Sequence, residues 1–228
     1  MMKNTISALA LAVGLGVAGA ANAGTIVQTF SIPVGGTPIN ATGTFDFFDD
    51  LGGTRNLTGV ELVLDATVSG DARGENETSA PATITLDLSA DVSVDGPDSL
   101  GLDGFSVEPL VSQSFSAAAF DGSSDFAGPS GASFTGLTDD EIFTGNVLSP
   151  LLPSYVGTGT FDVDFSIDGN SNASGAGTIT TQFETQGGAD ITLTYFYDTD
   201  NPPEIPAPAA LALLGAGLTG LGVLRSRR

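Results

Sequence analysis

The chain contains no cysteine, no histidine and no tryptophan, and each absence excludes a class of chemistry. Without cysteine there is no disulfide framework, no thiolate nucleophile and no thiolate metal ligand. Without histidine, the Ser-His-Asp and Cys-His arrangements and the usual zinc sites are excluded. Lysine occurs once, at Lys3. Schiff-base and Ser-Lys mechanisms are therefore excluded from the rest of the chain.

Basic residues are scarce throughout, with 6 Lys and Arg against 27 Asp and Glu and a formal net charge of −21. Four of the six lie close to the termini, at Lys3, Arg225, Arg227 and Arg228. Residues 24–203 hold 26 acids and two arginines, so their formal charge is 2 − 26 = −24. Because nucleic-acid binding needs Lys and Arg to neutralise phosphates, we expect no nucleic-acid partner.

Residues 1–23 have the features of a secretory signal peptide. Lys3 supplies the positive n-region, 6–18 form an apolar core, and Ala21 and Ala23 satisfy the small-x-small cleavage rule. The alternative is a retained anchor helix, for which the apolar run is short. We therefore expect export through the Sec translocon and cleavage by signal peptidase after Ala23.

The C-terminal segment combines a proline-rich linker, an apolar run and an arginine cluster. The linker spans 201–208, the uncharged run 209–224 and the cluster 225–228. Sixteen helical residues rise about 24 Å, somewhat less than a ~30 Å hydrocarbon core, and arginine snorkelling closes the gap. The pattern predicts a transmembrane helix. Its Arg225, Arg227 and Arg228 orient the segment by remaining cytoplasmic.

This tail resembles a PEP-CTERM protein-sorting signal. Members carry Pro-Glu-Pro at the motif, whereas Pro206-Ala207-Pro208 stands there in this chain and the acid is displaced to Glu204, next to Pro203. The resemblance implies recognition by an exosortase-like processing enzyme. It also implies transient anchoring in the inner membrane, followed by transfer to the outer surface or extracellular matrix of a Gram-negative bacterium.

Between the terminal segments, apolar and polar residues alternate over long stretches, which is typical of half-buried β-strands. Val60, Leu62 and Leu64 share one face of such a stretch, and Glu61 and Asp65 share the other. The pattern predicts regular strands at 60–68, 84–94, 161–167 and 191–197, and less regular strands at 25–32, 43–48, 105–119 and 176–185.

Turn-forming residues separate these runs, and no long segment of helical period lies among them. Amphipathic strands with polar outer faces bury their apolar faces against one another as two sheets. We therefore expect an all-β fold, a single antiparallel β-sandwich over 24–200, with a closed barrel as the alternative. We expect 120–155 to be an irregular excursion over the core. The predicted turns are at 35–36, 50–53, 95–98, 168–170 and 187–188.

Several short stretches resemble the choice-of-anchor E domain. They are FDG at 120–122, DFAGPSG at 125–131, TGL at 135–137, YVGTGT at 155–160 and ITLTY at 191–195. The resemblance implies a bacterial surface domain that is carried on alternative C-terminal anchors. It implies no catalytic residues.

Asp121 and Asp125 are the candidate metal ligands in this region. Next to turn glycines, their carboxylates suit the capping of backbone N–H groups in a tight loop. Carboxylates and turn carbonyls are also oxygen ligands for calcium, so a calcium site is the functional alternative. Other oxygen-rich loops lie at 95–103, 168–172 and 198–201, and the chain has no EF-hand pattern.

Asp162 and Asp164 are the candidate pair for carboxylate catalysis. Alternate residues of a strand lie about 6.6–7 Å apart, which falls in the range of inverting glycosidases. The competing interpretation is that both carboxylates solvate the outer face of a strand. That interpretation is favoured because the chain has no tryptophan and only three tyrosines to stack on a sugar.

Together these features favour an exported, non-enzymatic surface or matrix protein, with exopolysaccharide as a candidate partner. The first alternative is a calcium-dependent carbohydrate-binding module, and the second is a carboxylate-dependent glycosidase.

Overall fold

The computed structural model describes residues 23–199, which form ten strands and a short 3-10 helix. The predicted signal core, sorting motif, transmembrane helix and arginine cluster lie outside the described residues. The strands are β1 Ala23–Gly36, β2 Ile39–Asp46, β3 Arg55–Asn76, β4 Ala82–Asp95, β5 Ser106–Val107, β6 Leu110–Ala117, β7 Gly131–Asn146, β8 Thr160–Gly169, β9 Asn172–Gly175 and β10 Ile179–Thr199, with the helix at Ser149–Tyr155.

The strands pair into two sheets, and every pairing between them is antiparallel. The first sheet has the order β1-β10-β3-β7. The second has the order β2-β8-β4-β5, with β6 and β9 paired to the first half of β4. The predicted all-β antiparallel fold is confirmed, and its two separate sheets form a sandwich.

The core lies between the sheets and follows the predicted alternation. The five alternate apolar residues of β3 from Val60 to Val68 are at most 2% exposed. They pack with the inner faces of β8 and β10, which contribute Phe165, Ile167 and Leu193. A second, smaller cluster lies towards the other end of β3, around Ala72, Ile84, Leu86 and Ala117. The long strands β3 and β10 therefore cover two adjoining cores.

Four of the eight predicted strands are divided, displaced or joined in the structure, and the strand predicted at 60–68 is longer, at Arg55–Asn76. The stretch 105–119 is two strands rather than one, and Pro109 lies between them, because proline has no N–H for the ladder. The strand predicted at 43–48 ends earlier, at Asp46, and begins at Ile39. The strands predicted at 176–185 and 191–197 are a single strand, β10.

The turn predicted at 187–188 is wrong for a packing reason. A Cβ atom at Gly187 would lie 2.5 Å from Ile167 Cγ2, and one at Gly188 would lie 2.8 Å from Val34 Cγ2. These glycines allow close approach of a continuous strand to its neighbours. The pair 35–36 also lies within a strand, at the end of β1, where it pairs with Gly187 and Gln186.

The expectation of an irregular excursion at 120–155 is wrong for residues 131–146, which form β7. A register shift lies between the pairs Gly70–Leu137 and Ala72–Phe134, so β7 carries one extra residue there. Gly136 occupies this bulge with φ 66°. Because the bulge reverses the parity of the alternation, Phe134 and Leu137 both pack on the core, and the sequence pattern looks irregular.

Candidate functional site

The loop 118–130 joins β6 to β7 and contains both candidate calcium ligands. Asp121 Oδ1 accepts a hydrogen bond from the Ser123 N–H at 3.0 Å, and Asp125 Oδ1 accepts one from the Ala127 N–H at 3.0 Å. Both aspartates are exposed. These bonds confirm the predicted capping of loop amides by the two carboxylates.

The loop rests on two buried polar residues, Glu75 and Asn76, at the end of β3. The Asn76 amide donates to Ala80 O at 2.8 Å and to Ala118 O at 2.7 Å. Its Oδ1 accepts from the N–H and the hydroxyl of Thr78. Asn76 therefore joins the turn after β3 to the start of the loop, with all of its polar atoms bonded.

Glu75 is buried beneath the loop, and only one of its two carboxylate oxygens accepts a hydrogen bond. Its side chain is 0% exposed, and Oε2 accepts the Phe126 N–H at 2.8 Å. Gly131 faces Glu75 across the β3–β7 pair, where an added Cβ would lie 2.3 Å from Oε2. Oε1 has no hydrogen-bond partner among the described residues, and neither does the buried Oγ of Ser130.

Sequence reasoning missed Glu75 because alternation predicts it to be exposed. In β3 the inward positions near it are Ala72, Gly74 and Asn76, so Glu75 points to the outer face of the sheet. The loop that covers this outer face reaches Glu75 through Phe126, which lies 51 residues later in the chain. No local pattern in β3 signals this cover.

Asp162 and Asp164 lie on the exposed outer face of β8, as the alternation predicts. Each accepts a hydrogen bond from the threonine directly opposite on β2. The donors are Thr44 for Asp162, at 2.7 Å, and Thr42 for Asp164, at 2.6 Å. This arrangement favours the interpretation that the two carboxylates are solvated strand residues.

Hydroxyl–carboxylate pairs of this kind recur across the molecule. In each, a Ser or Thr donates to the Asp that faces it across a strand pair, which gives the carboxylate a neutral partner. The described region has two arginines. Arg73 lies 3.9 Å from Asp71 and 3.8 Å from Glu184, and Arg55 lies over the Tyr197 ring. The other hydroxyl–carboxylate pairs across neighbouring strands are Ser31–Asp190, Thr67–Asp140 and Ser112–Asp87.

A group of carboxylates surrounds Asp91 at the middle of β4. Asp91 faces Asp168 across the β4–β8 pair. Glu108 accepts hydrogen bonds from Ser89 and Asn170 on Oε1. Partial burial raises the pKa of the Asp91 carboxyl above its usual value, and the negative charges of Glu108 and Asp168 raise this pKa further.

A groove of about 1280 Å³ lies between the edge strands β1 and β2. Its lining includes the apolar side chains of Ile32 and Ile39 and the carboxylates of Asp95 and Asp164. A concave site with both apolar and polar lining can bind a small polar ligand or one unit of a larger one.

Between residues 23 and 199, no three Asp or Glu side chains converge as a metal-binding group. The same region contains no helix that is both long enough and apolar enough to span a bilayer. Asp121 and Asp125 have the loop-capping role described above, and within residues 23–199 they belong to no group of three converging carboxylates.

No protein-family model and no curated protein matches the chain. Among solved structures, the chain is similar to a protein chain in the structure of the infectious bursal disease virus Gx strain. The identity is 12% and the TM-score 0.19, over 93% of this chain and 53% of the viral chain. A VP2 subviral particle of the same virus matches at 12% identity and a TM-score of 0.19, over 86% of this chain and 42% of that one. The chain thus spans about half the length of these proteins, and TM-scores this low carry no argument about its function.

Proposed function

We propose that this chain is an exported, non-enzymatic protein of a bacterial surface or extracellular matrix, sorted through its C-terminal tail by an exosortase-type system. The observation that carries the proposal is the pairing of Ala23 with Asp198, at the start of β1 and the end of β10. The N-terminal end of β1 and the C-terminal end of β10 therefore lie side by side in the first sheet. A domain of this kind can be freed at one end of the chain while a neighbouring tail holds it to a membrane.

The outer faces of the sandwich also support the proposal. They carry aspartates whose partners are hydroxyl groups, and the terminal segments hold four of the six basic residues. A strongly negative, disulfide-free body repels its own copies and stays dispersed during export. Because the proposed function depends on where the domain is delivered, it needs no catalytic residue.

Immunoblotting of cell fractions tests this proposal. The full-length chain is followed in its source bacterium with the exosortase-like enzyme present and deleted, next to a variant that lacks 201–228. We expect surface or matrix protein only when both the enzyme and the tail are present. Full-length protein that stays in the cytoplasm of both strains, or surface delivery of the truncated variant, would contradict the proposal.

The groove between β1 and β2 favours a second candidate function, carbohydrate binding by the exported domain. Its lining includes the carboxylates of Asp95 and Asp164, which can accept hydrogen bonds from sugar hydroxyls, together with apolar side chains. Isothermal titration of the full-length chain with matrix polysaccharide tests it. We expect a heat of binding that Asp164→Ala removes, and absence of heat with the unaltered chain would exclude this function.

A further inference from the structure

We propose that β1 is a self-association edge, at which two copies of this chain join their first sheets by antiparallel pairing of β1 with β1. The strand spans Ala23–Gly36 and lies at the end of the sheet order β1-β10-β3-β7. The proposed function concerns delivery of the domain, whereas this edge concerns what the delivered domain contacts.

The main chain of β1 has a free edge. In an antiparallel pair, every second residue exchanges both of its main-chain hydrogen bonds with the neighbouring strand, and the residues between them direct their N–H and C=O groups away. The pairing of β1 with β10 is uninterrupted from Ala23 to Ile32. Within residues 23–199, no N–H or C=O of β1 bonds to a segment other than β10. A strand edge of about 33 Å is therefore free to pair.

The edge strand β1 also lacks the charges that usually prevent pairing between molecules. None of its 14 residues is charged, whereas every other described strand of more than eight residues carries at least three acids. The opposite edge of the same sheet, β7, carries Asp139, Asp140 and Glu141 in succession. Natural sheets use charged residues on edge strands to block association. In a chain of net charge −21, β1 is thus an edge without this protection.

The neighbouring edge strand β2 is less suited to pairing. It has eight residues, and the main-chain groups of its last residue, Asp46, are both bonded to the Gln28 side chain, at 2.7 and 3.0 Å. Its Thr42 and Thr44 are bonded to aspartates of the next strand. A partner strand would meet these carboxylates at β2, whereas the β10 residues beside the middle of β1, at 192–196, are uncharged.

A second copy of β1 fits this edge because the strand is complementary to itself. Antiparallel pairing of a strand with its own copy is two-fold symmetric, so one patch serves both molecules. Phe30 and Ile32 are buried on the inner face, so the residues that alternate with them would face their counterparts on the outer face. Pairs of Thr, Ser and β-branched residues are favourable across strands. These outer residues are Thr25, Val27, Thr29 and Ser31.

The charge of the rest of the domain makes this pairing dependent on salt. Residues 24–203 have a formal charge of −24, so two copies repel one another over a long range at low ionic strength. The screening length falls from about 30 Å at 0.01 M to about 8 Å at 0.15 M. The domain therefore stays dispersed when the repulsion is unscreened and pairs through β1 when salt screens it.

Sedimentation of the full-length chain in detergent, at ionic strengths of about 0.01 M and 0.15 M, tests the proposal. We expect a monomer–dimer equilibrium that shifts towards the dimer with salt. Thr29→Asp places a like charge on the exposed face of β1 twice in each dimer and should weaken dimerisation about tenfold. A monomer under both conditions, or oligomers that grow beyond a dimer, would overturn the proposal.

Thr144→Asp is the matched control. Thr144 is exposed and lies on β7 in the same row of the sheet as Thr29, since Thr29 faces Thr192, Thr192 faces Val63 and Val63 faces Thr144. The variant adds the same charge at the opposite edge and should dimerise like the unaltered chain. Equal weakening in both variants would assign the effect to net charge, and no weakening in Thr29→Asp would assign the association to another surface. Either result would refute pairing through β1.

Disulfide cross-linking locates the contact independently, because the chain has no cysteine of its own. Val27→Cys and Thr29→Cys are oxidised alone and as a mixture, which covers the registers that place residue 27, 28 or 29 at the two-fold axis. Residues opposite one another in an antiparallel pair have Cα atoms about 4.5–5.5 Å apart, within reach of a disulfide. We expect a cross-linked dimer in one of these samples and none with Thr144→Cys. Failure of all three samples, or an equal yield from Thr144→Cys, would refute the proposal.

Discussion

Tyr155 packs edge-on against Tyr195, with ring centroids 6.1 Å apart and ring planes at 69°. The Tyr155 hydroxyl donates to Leu100 O at 2.8 Å, and the Tyr195 hydroxyl donates to Asp46 O at 2.8 Å. Both side chains are 0% exposed. The pair therefore joins the 3-10 helix to β10, the loop after β4 and the end of β2.

We expect the tyrosine pair to make the fold sensitive to alkali. Burial raises the pKa of both hydroxyls above the ordinary value of 10.0, and for Tyr195 the charges of Tyr155 and Asp46 raise it further. The unfolded chain thus loses these protons first. The contribution of these two protonated hydroxyls to the free energy of unfolding is complete below pH 10.0. It is lost as the pH rises above that value, by about 1.4 kcal/mol per pH unit for each tyrosine.

The measurement is tyrosinate absorbance together with circular dichroism during an alkaline titration. Two of the three tyrosines should ionise only as the β-sheet signal is lost. In Tyr195→Phe, the free energy of unfolding should fall less steeply with pH, by the equivalent of one proton. Ionisation of all three in the folded protein would contradict this prediction.

Gly187→Ala should destabilise the fold by about 1–3 kcal/mol. The new Cβ atom would lie 2.5 Å from Ile167 Cγ2, a buried core atom that has little room to move. Gly36→Ala is the matched control, since no heavy atom lies within 4 Å of its added Cβ, and its effect should be within ~0.5 kcal/mol. Urea unfolding measures both, and equal midpoints for the two variants would show that the close approach is not needed.

The Thr42–Asp164 pair should show a favourable coupling of about 0.2–1 kcal/mol, since a hydroxyl replaces the cation that usually accompanies an aspartate. A double-mutant cycle with Thr42→Val and Asp164→Ala, read by urea unfolding, gives this energy. Thr25→Val is the control, because the Thr25 hydroxyl makes no hydrogen bond with the described part of the chain. A coupling of zero would mean that the hydroxyl–carboxylate pairs only solvate the strand faces.

Asp91→Asn should stabilise the protein at neutral pH. The raised pKa of Asp91 means that the fold disfavours its charged form, so the carboxylate destabilises the protein above its folded pKa and has no effect below the ordinary value of 3.8. Because Asp91 is only slightly buried and largely exposed to solvent, which screens its charge, we expect a gain of about 0.2–1 kcal/mol.

Thermal unfolding over a pH series checks this prediction for Asp91, with the turn variant Asp98→Asn as control. The gain should disappear as the solution is acidified below pH 3.8. A gain that is independent of pH would assign the effect to packing rather than to charge.

The strands whose alternation is uninterrupted were predictable, because alternation depends only on neighbours along the chain. The strand β7 was not, since the bulge at Gly136 shifts Phe134 and Leu137 to opposite parity. The same distinction between local and distant contacts applies to the candidate site. The roles of Asp121 and Asp125 were predictable from the sequence because they cap amides two residues away. The burial of Glu75 was not, because the loop that covers it lies about 51 residues later in the chain.

Composition and local periodicity are sufficient to predict the all-β antiparallel class, the face of each regular strand that enters the core, and the chemistries that are excluded by the missing cysteine and histidine. They are not sufficient to predict that 187–188 continues a strand, or that an outward-facing glutamate is buried under a loop. Both depend on which distant segments meet, and the packing of the whole chain determines that.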